Sequence, residues 1–368
     1  MLTTVAAAFL AMFVAACDSS GTNDPPEEVF DRGALLENIG NNLIFPTYGK
    51  LLSHVEDLEI EADQFLQNPS VSSLADLREG LKQARLTWQE ASFFQFGPAQ
   101  TVALRGVLNT FPANVDQINS NITSGNYVLG SIENLPAGGF PALGYLIYGD
   151  GLTDEDIVGL YTTDQNAASR IKYLRDNTEF ISEIVLFVAN EWGSGGNYLN
   201  TFLDPDNAGT DVGSSLGEVV NAMILHFERF SRDGKIGIPA GVRSAGVPRP
   251  RATEAFYAGY SAELAGANLE GLLRLYTGVG ENGQGGTSLA DNLGFLGASD
   301  LAVDIETAFA ESLAAVSGLT DPLSTQLEGN VDEALVVFTK MQELVVLMKV
   351  DMASRLGITI TFQDNDGD

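Results

Sequence analysis

The stretch ALLENIGNNLIFPTYGKLLSHVEDLEIEADQFLQ (34–67) sets the fold class. Its apolar positions Leu35, Ile39, Leu43, Leu51, Val55, Leu58, Ala62 and Phe65 recur at three- and four-residue steps or their multiples. A helix of 3.6 residues per turn gathers such positions into one buried stripe, whereas a strand needs strict alternation. Pro46 lacks an N–H and is expected to bend or break this helix.

The same period recurs downstream. Leu74, Leu77, Leu81, Ala84, Trp88 and Ala91 form a second stripe, and Ser73-Leu-Ala-Asp76 reads as a capping box that opens it. Gly97-Pro98 closes that helix, and a third helical segment is expected over 99–119. Region 122–166 carries Pro136, Gly138-Gly139, Pro141 and Gly149-Asp-Gly and reads as irregular, with GGFPALGYLIYGDG (138–151) as a turn before a short apolar segment. Helical patterns resume at about 167–191, 214–232, 251–276, 299–316 and 328–355. The Gly- and Pro-rich GKIGIPAGVRSAGVPRPR is expected to cross the surface irregularly. GVGENGQGGTS (278–288) lacks the lysine of a phosphate-binding loop and reads as a mobile connection. Only ITITF near the C-terminus is prone to form a strand. These patterns predict an all-α protein with two helical halves, at about 34–190 and 210–357, that suggest a duplicated bundle around an irregular central segment, with an acidic tail at 358–368.

With 49 acidic and 19 basic residues, the 368-residue chain has a formal charge of −30. That field repels nucleic acid, which we set aside as a partner, and draws cations. The N-terminal run MLTTVAAAFLAMFVAAC is short for a bilayer span and ends in Val14-Ala15-Ala16-Cys17, which resembles a bacterial lipoprotein signal. On this reading residues 1–16 are removed, Cys17 carries lipid, and the polar, acidic segment 17–33 tethers the domain that begins at residue 34. Cys17 is the only cysteine, so no disulfide can form within the chain.

Catalytic patterns are sparse. Only His54 and His226 are present, and no H-E-x-x-H or G-x-S-x-G occurs. His54, Asp57 and Glu61 stand at i, i+3 and i+7, so a helix places them on one side as weak candidate ligands for iron or another divalent metal. Acids on several faces of VEDLEIEAD favour the plainer reading of a helix-edge histidine beside a solvated face. His226 reads as a buried or boundary histidine, because Phe227 and Glu228 do not share its face. Trp88, Glu90 and the run Phe93-Phe94-Gln95-Phe96 form the densest aromatic group and read first as core. Asp364-Asn-Asp-Gly-Asp368 has the spacing of half a calcium loop without its remaining positions.

Five segments together resemble the imelysin-like family of bacterial envelope proteins, most closely its Bacteroidetes-type lipoproteins. They are ARLTWQEASFFQFGP (84–98), GGFPALGYLIYG (138–149), GKIGIPAG (234–241), PRATEAFYAGYSAELAGANLEGLL (250–273) and LGITITFQDNDGD (356–368). The resemblance implies an all-α fold of duplicated four-helix bundles packed together with a site between them, and a link to peptidase activity or iron uptake. The family's metal-binding signature is GxHxxE. The matching residues here are Gly139, Pro141 and Gly144, so the glycine remains while the histidine and glutamate are replaced. Proline and glycine side chains offer no ligand atom. The expectation is a lipid-anchored, non-enzymatic protein of the cell envelope, held at the outer membrane and facing periplasm or exterior. It would bind iron or an iron-bearing ligand through a pocket shaped by Trp88, Glu90, Gly97, Pro98, Gly139, Pro141, Gly144, Tyr145 and Tyr148. A divergent metallopeptidase rebuilt around His54, Asp57, Glu61 or Glu90, and a scaffold for another envelope protein, are the alternatives.

Overall fold

A computed structural model describes residues 29–193 and 195–363. Cys17, most of the proposed tether and Asp364–Asp368 lie outside the described residues. From Asp31 onward the chain is one unit. In chain order its helices are α1 (Arg32–Glu37), α2 (Phe45–Gln67), α3 (Val71–Ala91), α4 (Pro98–Thr101), α5 (Leu104–Asn109), α6 (Val115–Ser124), α7 (Gly139–Tyr148), α8 (Asp154–Thr162) and α9 (Ala167–Trp192). They continue as α10 (Tyr198–Phe202), α11 (Ser215–His226), α12 (Ser261–Thr277), α13 (Leu289–Phe295), α14 (Ser299–Val316), α15 (Leu323–Gly329), α16 (Asp332–Val346) and α17 (Ala353–Leu356). No strand occurs among the described residues; ITITF is irregular, with Thr359 and Thr361 bonded to the Asn221 side chain.

Every apolar position of the 34–67 stripe is buried, as is every position of the α3 stripe. Pro46 does not break the first helix. It sits in the first turn of α2, directly after a π-helical segment, Asn38–Ile44, whose wider turn carries the chain past the missing N–H. α3 starts earlier than Ser73 because Ser70 and Ser73 cap each other reciprocally. The segment 99–119 is three short helices rather than one, with Ala103 in the left-handed region at φ 49° between the first two. The region read as irregular contains α7 and α8, so GGFPALGYLIYGDG is mostly helix. Pro141 is tolerated there because it lies in the first turn, where its N–H would have no helical partner.

α2 packs between α3 and α9, with α7 against α3 and α9; this is the N-terminal group. α12, α14 and α16 form the C-terminal group with α11 and the π-helical segment that extends it, Phe227–Gly237. α3 packs on α12 and joins the groups. The π segment changes the expected course of GKIGIPAG. Lys235, Ile236, Gly237, Pro239 and Ala240 are buried rather than crossing the surface. The loop at 278–288 is tied at both ends by Asn38, whose Nδ2 donates to the Gly278 and Thr287 carbonyls at 2.8 and 3.1 Å.

Candidate functional site

α7 is fixed by its first residue. Gly139 has φ 70°, and a Cβ there would lie 2.4 Å from the Leu108 carbonyl oxygen and 2.5 Å from that of Val107. Only glycine allows this approach of α7 to α5. Beyond it, Pro141 and Gly144 face a hollow of about 10 Å³ shared with Arg85, Glu254 and Tyr257. A Cβ on Gly144 would lie 3.7 Å from Arg85 Nη1. The guanidinium, 1% exposed, therefore stands beside the position that carries glutamate in the family motif. This donor set does not fit a metal: two positions have no ligand atom and the third group is a cation.

A buried polar network replaces it. Glu254 Oε1 accepts from Gln89 Nε2 at 2.8 Å and Asn109 Nδ2 at 2.9 Å, and Oε2 pairs with Lys235 Nζ. Lys235 also donates to Gln89 Oε1 at 2.6 Å, and Arg85 Nη2 to the Glu254 carbonyl oxygen at 2.7 Å. Burial alone would push the Glu254 carboxyl up. The facing Lys235 and Arg85 charges and the bonds from Lys235 and Asn109 outweigh it and hold the pKa below the ordinary value. Lys235 is shifted down by burial despite the favourable carboxylate.

Against this network lies a cleft of about 700 Å³. Its wall comes from the end of α3 (Trp88), the turn between α3 and α4 (Gln95), the start of α5 (Arg105), the stretch after α5 (Phe111) and the start of the π segment (Phe230). Arg105 lies over the Phe230 ring at 3.8 Å and donates through Nη2 to the Ser92 carbonyl oxygen and to His226 Nδ1, each at 3.2 Å. His226 is fully buried. Burial first, then the Arg105 and Lys235 charges, keep its pKa well below 6.5, so the imidazole is neutral. With Nδ1 accepting, Nε2 carries the proton and faces Asn268 Oδ1 at 3.3 Å.

The residues expected to share one pocket are dispersed. Trp88, 1% exposed, lines the large cleft. Glu90 points from the other side of α3 into a separate cleft of about 360 Å³ and pairs with Arg274 at 3.0 Å and Lys50 at 3.9 Å. Gly97 has φ 53° and packs under the Tyr198 ring, while Pro98 is buried at the start of α4. Tyr145 bonds Asn119 and meets Tyr257 edge-on, and Tyr148 lies under Arg78 beside Tyr260. The dispersal follows from helix geometry: Trp88 and Glu90 are two residues apart and leave α3 in different directions.

His54, Asp57 and Glu61 do line one acidic hollow, with Asp76 and Glu79 across it on α3. They do not assemble as ligands. His54 Nδ1 is bonded to Thr87 Oγ1 at 2.7 Å, Glu61 is tucked against Gly80, and no group of three His, Cys, Asp or Glu suited to a metal occurs among the described residues. Arg105, Gln95, Asn109 and Arg229 were not singled out from sequence. Lys235 and Glu254 lie inside two of the segments that carried the resemblance, and a charged residue flanked by small and apolar ones was their available signal.

A body of two helical groups with a cleft beside Lys235 and Glu254 is the class of all-α fold that this chain defines. The family model for imelysin (peptidase family M75) matches residues 44–348, and the chain belongs to that family. No curated protein matches it significantly. Two similar crystal structures share the fold. One is a protein provisionally described as an iron-regulated protein A precursor, from Parabacteroides distasonis ATCC 8503. It aligns with a TM-score of 0.72 at 17% identity, covering 90% of this chain and 97% of that one. The other is an imelysin-like protein from Psychrobacter arcticum 273-4, with a TM-score of 0.70 at 18% identity and the same coverage.

Proposed function

We propose that this protein is a non-enzymatic binding protein of the bacterial cell envelope, anchored by lipid on Cys17 and contributing to capture of iron or an iron-bearing ligand. The observation that carries the non-enzymatic part is local: Pro141 and Gly144 supply no ligand atom, and Arg85 stands against Gly144. A hydrolytic metal needs its ligands and an open coordination position, and neither is provided there. Support for the iron part comes from the family and from the structural neighbour described as iron-regulated. The formal charge of −30 favours accumulation of cationic species around the protein.

Calorimetry with ferrous iron, ferric iron, haem and a ferric siderophore, together with elemental analysis of protein purified without added metal, tests this reading. Binding of at least one iron species, with no peptide cleavage, is expected. Absence of binding to all four removes the iron assignment. Chelator-sensitive peptide cleavage restores the peptidase alternative.

A further inference from the structure

The cleft beside Trp88 has a chemistry unlike the rest of the molecule. The chain carries 49 acidic residues, yet no Asp or Glu among the described residues lines this cleft, while Arg105, Arg229 and Lys235 do. Lys235 is neutralised by Glu254. Arg105 and Arg229 make no ion pair among the described residues; Arg229 Nη2 is bonded to the Gln363 carbonyl oxygen at 2.6 Å. Arg229 is half-buried, whereas Arg105 is largely withdrawn from water, and an arginine placed so without a counter-ion is costly. Burial pushes Arg105 down to about 9, which still leaves the guanidinium charged at neutral pH.

The hydrogen-bond inventory points the same way. Trp88 Nε1, Gln95 Nε2, Arg105 Nε, Arg229 Nε and Asn109 Oδ1 are buried without a hydrogen-bond partner, and all belong to residues lining the cleft. The first four are donors. The orientation of the Gln95 amide is set by its other half, because Oε1 accepts the Arg105 backbone N–H at 3.1 Å. Native proteins rarely leave buried donors unmatched, so four of them in residues lining one cleft call for an acceptor. Between them the wall is apolar, with Phe111, Pro112, Phe230 and Ile238 exposing ring and aliphatic surface.

From the arginines without an acidic partner among the described residues, the unmatched donors and the apolar wall, we infer that this cleft binds a small organic oxyanion: a carboxylate-bearing molecule with an apolar or aromatic body. Guanidinium groups take carboxylate oxygens in charge-assisted bonds, and the donors on Trp88 and Gln95 meet further acceptor atoms. The volume of about 700 Å³ lies in the range of small-molecule sites. Bare metal cations are repelled from it. The inference rests on reading the protein as a binding protein, not on iron. If iron enters this cleft, it does so within an anionic complex.

The test is calorimetry of the purified protein with benzoate, 2,3-dihydroxybenzoate and its ferric complex, with catechol and benzamide as uncharged counterparts and inorganic phosphate as a bare oxyanion. At least one of the two carboxylates is expected to bind at least tenfold more tightly than its uncharged counterpart, and phosphate more weakly than both. Arg105→Gln and, separately, Arg229→Gln are each expected to weaken that binding tenfold or more, while circular dichroism reports an unchanged fold. Two variants are used so that a misfolded one does not decide the result. Equal affinity for charged and uncharged compounds, no carboxylate binding at millimolar concentration, or full binding by a folded Arg105→Gln protein each overturns the inference. Binding of the free carboxylate without its ferric complex leaves this inference standing and counts against the iron reading.

Discussion

Glu254→Gln tests whether the centre of the molecule is held by a charge network. The carboxylate receives donors on both oxygens: Gln89 and Asn109 on Oε1, Lys235 on Oε2. A glutamine keeps only one acceptor. If its NH₂ faces Lys235, two donors confront each other and the ammonium keeps only Gln89 Oε1 as acceptor, at 2.6 Å. If it turns around, its NH₂ meets the donors of Gln89 and Asn109. In both orientations Lys235, 4% exposed, loses its counter-charge. Removing one partner of a buried pair costs about 3–5 kcal/mol, against a total stability of roughly 5–15 kcal/mol for a folded protein. Urea unfolding followed by far-UV circular dichroism at pH 7 should therefore show a loss of about 3 kcal/mol or more with little change in slope. Adding Lys235→Met removes the stranded cation and should restore roughly 2 kcal/mol of it. The pH dependence has a definite sign. The carboxyl is held below its ordinary value in the folded state, so its contribution is present above about pH 4.5 and is lost as pH falls through the folded pKa. The variant should lose this part of the acid limb. A single-variant loss below about 1 kcal/mol, or strict additivity in the double variant, would refute the network as drawn.

Three further outcomes follow from local geometry. Gly139→Ala combines a positive φ with a Cβ 2.4 Å from a carbonyl oxygen, and should lower stability by about 3–5 kcal/mol in thermal unfolding, through separation of α7 from α5. Burial first, then Asp57, Asp76 and Glu79, push Glu61 up to about 7. Its folded pKa exceeds the unfolded 4.5, so its contribution is present below that value and fades as pH rises toward 7; Glu61→Gln should raise the melting temperature at pH 8 more than at pH 4. The double variant Pro141→His, Gly144→Glu restores the motif's residue types, but the new carboxylate meets Arg85, so elemental analysis after incubation with zinc or ferrous iron should still give less than one metal per chain.

The helical class was legible because burial and period coincide. Each apolar position of the 34–67 and α3 stripes is in the core, so the sequence pattern and the packing carry the same information. Errors fell where local signals compete with tertiary ones. Pro141 and the paired glycines suggested a turn, yet a proline in a first turn and a glycine against a carbonyl are compatible with a helix start. Pro46 and GKIGIPAG were misread because a π-helical turn leaves no mark in a 3.6-residue period. The cleft was less accessible still. Arg105 and Gln95 are common surface residue types, and only the turns on either side of α4 bring them together at the cleft that Trp88 also lines.

The degenerate motif is best understood as exchange of one kind of interior polarity for another. Gly139 still brings α7 against α5, so the backbone is placed as a ligand-bearing helix would need. Yet Pro141 and Gly144 contribute no charge, and Arg85 takes the space next to them. An uncompensated arginine in that interior would be costly; its main-chain acceptor on Glu254, and the carboxylate of the same residue nearby, offset part of that cost. Glu254 in turn neutralises Lys235, and the cations left without an acidic partner among the described residues on this side are Arg105 and Arg229, both lining the large cleft. The positive charge that Arg85 places beside Gly144 thus continues into the cleft. There it meets unmatched donors and an aromatic wall, an arrangement suited to retaining an anion and not to activating a metal-bound water.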